Sequence, residues 1–70
     1  MTAAIALTKM QAAANKADIL EVKLTIARRN GAPARWIEEL QAQFTRASEN
    51  VMQLWDEWND AMLTERLARI

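Results

Sequence analysis

The sequence predicts an all-α fold, an antiparallel two-helix hairpin. Two observations carry this prediction. Glycine and proline occur once each in 70 residues, at Gly31 and Pro33, so the only break signal is Asn30-Gly31-Ala32-Pro33. On both sides of that break, apolar residues recur in alternating steps of three and four, the spacing that keeps one face of a helix against a neighbour. The expected layout is a single helical-hairpin domain over 1–70, with a helix over about 3–29, a turn over 30–33 and a helix over about 34–69.

Each element has a local reason. Thr2 supplies a hydroxyl at the N-cap of the first helix. That helix carries Ala3, Ala6, Met10, Ala13, Ala17, Leu20, Leu24 and Ala27 along its seam. Gly31 is the residue type that closes a helix in the left-handed conformation. Pro33 cannot extend the first helix and is suited to the start of the second. The second seam reads Ile37, Leu40, Phe44, Ala47, Val51, Leu54, Trp58 and Ala61. It runs through Ser48-Glu49-Asn50 without losing step, which predicts one long helix of coiled-coil type. A short connection makes the two helices antiparallel neighbours. The alanines of the first seam let the bulkier residues of the second approach closely.

The first helix has a second apolar face. Ile5, Ala12, Ile19 and Ile26 recur every seven residues with Val22 beside them, and Lys9, Lys16 and Lys23 separate this line from the seam. A helix apolar on two faces is packed on two sides. Helix two covers one, and nothing else in the chain remains for the other. A folded 8.0 kDa chain without disulfide or metal is also marginal by size. The expectation is a homodimer with Ile5, Ala12, Ile19, Val22 and Ile26 at its interface, two hairpins forming a four-helix bundle.

Charge is zero in sum and divided in space. Residues 1–35 hold six basic and two acidic side chains, and residues 36–70 hold three basic and seven acidic. The hairpin therefore lays a +4 half on a −4 half. Lys9 is expected near Asp56 and Arg28 near Glu39, which favours the antiparallel register.

Composition excludes several functions. The absence of cysteine removes disulfides and thiolate metal sites, and the absence of histidine removes the commonest general base and metal ligand. There is no Gly-rich phosphate loop. No enzyme activity, cofactor or metal is expected. Nor is a membrane span or signal peptide expected, which points to the cytoplasm. Zero net charge argues against nucleic acid as a partner.

Two surfaces are candidates for binding another protein. Met52, Trp55, Asn59 and Met62 form a line beside the seam, with Asp56, Glu57 and Asp60 nearby. Trp and Met supply large, adaptable contact area, and the acids suit a basic region such as a DNA-binding or regulatory domain. The same line is equally suited to closing the dimer interface. The second candidate is the hairpin tip, where Arg28, Arg35 and Trp36 cluster, although helix-end arginines and a Trp capping the bundle would look the same in sequence.

The layout resembles small helical-hairpin proteins that act only by binding. It has a Met-Thr start, Ile26-Ala27-Arg28-Arg29-Asn30-Gly31 closing the first helix, and Trp36 soon after. The resemblance is to phage-encoded host-takeover proteins of the quorum-sensing anti-activator type, and also to small co-chaperones of secretion-system needle subunits. It implies a stoichiometric inhibitor of a host regulatory protein, acting in the host cytoplasm, or else a chaperone. It transfers no residue's role. A Rop-like RNA-binding bundle using Lys9, Lys16 and Lys23 is a further alternative.

Overall fold

A computed structural model describes residues 2–69. Two helices, α1 (Ala3–Arg29) and α2 (Ala34–Ala68), make up the described fold. They pack as an antiparallel hairpin, a rod with principal extents of 57 × 14 × 13 Å. At the start of α1 the Thr2 hydroxyl accepts from the Ile5 N–H at 3.2 Å, satisfying one of the free donors of the first turn. At its end Gly31 has φ +65°, the Ala32 N–H donates to the Ala27 carbonyl at 2.9 Å, and the Gly31 N–H donates to the Arg28 carbonyl at 3.3 Å. These are the two bonds of a Schellman motif, which turns the chain while satisfying carbonyls that the helix has left free. Pro33 stands just outside α2, where its carbonyl accepts from the Trp36 and Ile37 N–H groups. α2 runs unbroken through Ser48-Glu49-Asn50.

Two contacts at opposite ends set the register. The Ala3 N–H donates to Glu65 Oε1 at 2.8 Å, and Arg28 donates to Gln41 Oε1 at 2.8 Å. Across the seam, therefore, Ala6 lies level with Ala61, Leu20 with Ala47 and Leu24 with Phe44. The alanine-rich face of α1 is the better covered. Ala3, Ala6, Ala17, Leu20 and Leu24 are buried, whereas the large seam residues of α2, from Ile37 to Trp58, are only half-buried.

The register corrects both expected ion pairs. Arg28 meets Gln41, because Glu39 lies on the other flank of α2. Lys16 shares a groove with Asn50. One heptad along, Lys9 is therefore level with Glu57, while Asp56 lies on the outer face of α2.

Two stability effects follow. Replacing Gly31 by Ala forces a side chain into the left-handed region, so Gly31→Ala should cost about 1 kcal/mol and lower the thermal midpoint measured by circular dichroism. Ala6 is 0% exposed. Ala6→Leu should overpack this fully buried point of the seam and cost about 1–3 kcal/mol in chemical denaturation.

Candidate functional site

The antiparallel register sorts the remaining side chains onto two flanks of the rod. One flank is marked by the Arg28–Gln41 bond. Stepping by seven from Arg28 gives Glu21, Ala14 and Leu7 on α1, and stepping by seven from Gln41 gives Ser48, Trp55 and Met62 on α2. A groove lined by Ala14, Ala17, Asp18, Glu21, Phe44, Ser48 and Val51 lies on this flank. Near the turn the flank is polar. Towards the other end it becomes apolar, with Ala14 level with Trp55 and Leu7 level with Met62. Both Leu7 and Ala14 are half-buried. Sequence reasoning did not pick out these two residues. Their heptad spacing was visible, but their alignment with Trp55 and Met62 depends on the register.

Trp55 is 49% exposed and rests against Trp58, with ring centroids 5.1 Å apart and planes inclined by 42°. This separation and tilt fall within the favourable range for aromatic pairs. Trp58 is half-buried in the seam, so it supports Trp55 from beneath and holds an aromatic ledge ready at the surface. Met52, 70% exposed, continues the ledge towards the turn. On the side away from the turn, Trp58, Asn59, Met62, Leu63 and Arg66 line one concavity.

The opposite flank is polar. Lys16, Gln43, Arg46 and Asn50 line a groove of ≈ 320 Å³ over a floor of Ala13, Leu20 and Ala47. Asp60 belongs to this side, in a concavity with Glu57, Ala61 and Thr64. Asp60 and Trp55 are five residues apart, which places them about 140° apart around the helix. The structure therefore separates Asp60 from the line of Met52, Trp55, Asn59 and Met62. Asp56 borders that line, and Glu65, Arg66 and Arg69 share a concavity with Met62, so its rim is mixed in sign rather than acidic.

The isoleucine line is uncovered. Ile5, Ile19, Val22 and Ile26 are all exposed, Ile19 at 57%, and Ala12 is exposed among them. The line occupies one helix only, next to Lys9, Lys16 and Lys23 on the outer side of the polar flank.

The tip residues do not form one surface. Arg28 is engaged with Gln41, at the polar end of the flank that carries Trp55. Trp36 and Arg35 sit on the first turn of α2, which projects past the end of α1. Trp36 is accordingly 61% exposed and does not cap the rod.

Among the described residues no group of three or more His, Cys, Asp or Glu side chains is placed to hold a metal ion, and no helix is long and apolar enough to cross a membrane. No family model matches the chain, and no curated protein or solved structure is significantly similar to it.

The two kinds of tryptophan should separate on mutation. Trp58→Ala removes a half-buried seam residue and should cost about 3 kcal/mol, the low end for a buried ring, in urea unfolding. Trp36→Ala, at an exposed position, should stay within about 0.5 kcal/mol of the parent protein.

Proposed function

We propose that this chain is a non-enzymatic protein-binding module, a helical hairpin that pairs with a second copy and holds another protein, in the manner of a small inhibitor that blocks a regulatory protein. The observation that carries the proposal is uncovered apolar surface on two separate parts of one rod. The hairpin exposes 5480 Å², about 1,000 Å² more than a compact chain of this mass, for which size scaling gives about 4,400 Å². The excess is not spread evenly. Trp55, Met52, Met62 and Leu63 lie together on α2, and Ile5, Ile19, Val22 and Ile26 lie together on α1. One neighbour lying along one side of a straight rod leaves the other group exposed, so two neighbours are required. Exposed patches of this kind mark interaction sites in soluble proteins.

The residue inventory supports the same reading. With no histidine or cysteine in the chain, recognition by shape and apolar area is the chemistry its side chains offer most readily. An inhibitor needs only to occupy a surface that its target requires.

Sedimentation equilibrium at micromolar concentration tests the first half of the proposal. A dimer mass of twice 8.0 kDa is expected, and a folded monomer at these concentrations refutes it. The second half is tested by capture from a host lysate, with the parent chain and the double variant Ile19→Asp/Ile26→Asp compared side by side. A protein retained by one of the two apolar groups should be lost when that group is changed and the helical content is preserved. Equal retention by the parent, by this double variant and by Trp55→Ala would show that neither group is the binding surface.

A further inference from the structure

We propose that the second copy covers the Trp55–Met62 flank, with the two rods side by side and both turns at the same end, leaving the isoleucine line facing outward. This rests on the dimer reading above and adds which face pairs and in which direction.

Three features favour that face. First, both helices build it. Leu7 and Ala14 of α1 lie level with Met62 and Trp55 of α2, so the apolar surface bridges the groove. The isoleucine line belongs to one helix. Pairing it antiparallel with itself would align Lys9, Lys16 and Lys23 of one copy with Lys23, Lys16 and Lys9 of the other, and like charges directly opposed are destabilising. Secondly, the face is preorganised. Trp55 is already supported by Trp58 at 5.1 Å, so little side-chain freedom remains to be lost when it is covered. Thirdly, its dimensions suffice. A side of a rod 57 Å long and 14 Å wide is about 800 Å², the share of each partner in a standard-sized stable interface.

Charge and shape together choose the direction. A two-fold axis along the rod lays α1 of one copy on α2 of the other, in the same register as within the hairpin. The +4 half then meets a −4 half again, Trp55 meets the small Ala14, and Met62 meets Leu7. Arg28 near the turn comes level with the Gln41 region of the other copy, next to Glu38. A two-fold axis across the rod lays α1 on α1 and α2 on α2. That arrangement opposes +4 to +4 and −4 to −4, and it sets the apolar half of the flank, around Trp55, against the polar half around Ser48.

The chain has no cysteine, so Ala32→Cys at the turn gives a unique attachment point for a pyrene label. With both turns at one end, the labels of a dimer are close enough for excimer emission, which should disappear on dilution. With the turns at opposite ends, the labels stand apart by about the 57 Å length of the rod and no excimer forms. The face is tested by sedimentation of Ala14→Arg and Met52→Glu, each expected to weaken the dimer at least tenfold. Ile19→Lys should change it by less than twofold. Met52 is 70% exposed and contributes little to the hairpin itself, so Met52→Glu remains informative if Ala14→Arg unfolds the chain. A dimer without excimer, or one weakened by Ile19→Lys and indifferent to Met52→Glu, overturns this arrangement while leaving the dimer reading intact. A monomer overturns both.

Discussion

The close approach of α1 to α2 along an alanine seam governs the rest of the structure. Ala3, Ala6 and Ala17 are buried because they are small enough to let the second helix come near, and Ala61 answers Ala6 from the other side. This packing has a consequence for volume. Among the described residues the buried set is four alanines with Leu20 and Leu24, and the larger side chains of α2 lie over the seam without being enclosed. Two helices alone form a line of contact rather than a volume, and a residue as wide as Trp58 extends past that line on at least one side. The large exposed area of the hairpin follows from this geometry, and the placing of large apolar side chains on it is what the sequence adds.

Direction and register are set by polar groups at the ends of the seam. The Schellman bonds at Gly31 reverse the chain within a few residues. The Glu65 carboxylate then accepts from the Ala3 N–H, one of the free donors of the first turn of α1, where negative charge is also favoured by the helix dipole. The Arg28–Gln41 bond holds the register at the other end. Individually these contacts are modest, the exposed Arg28–Gln41 bond worth on the order of 1 kcal/mol or less and the part-buried Glu65 carboxylate bond about 1.5–3 kcal/mol. Their weight is combinatorial. A shift of one residue on either helix would rotate large residues off the seam and misalign every pair along the rod.

Function, on this view, is a matter of what the seam leaves over. The apolar flank and the isoleucine line are two groups of side chains that neither helix of the hairpin covers. They differ in surroundings, the first bordered by Asp56 and Arg66 and the second by three lysines. They therefore suit different neighbours. The flank is bridged by both helices and is the face assigned to the second copy in the proposed dimer, whereas the isoleucine line is narrow and basic at its edge.

Much of this was legible in the sequence, because local rules act through residue spacing. A single Gly–Pro break and steps of three and four specify two helices and their shared seam, and the alanine bias of one seam announces close packing. The exposed state of Ile5, Ile19, Val22 and Ile26 was also implied, since the seam of the hairpin leaves that face of α1 uncovered. The separation of Asp60 from Trp55 was legible as well, since five residues turn a helix by about 140°. Other features required the folded rod. Which residues of α2 come level with Lys9 and Arg28 depends on the offset between the helices, and Asp56 and Glu39 are passed over because they lie on other faces of α2. The same offset aligns Leu7 and Ala14 with Met62 and Trp55. Spacing along one chain determines which residues share a face, but only the packing of two helices decides which faces meet, because that depends on an offset no single helix encodes.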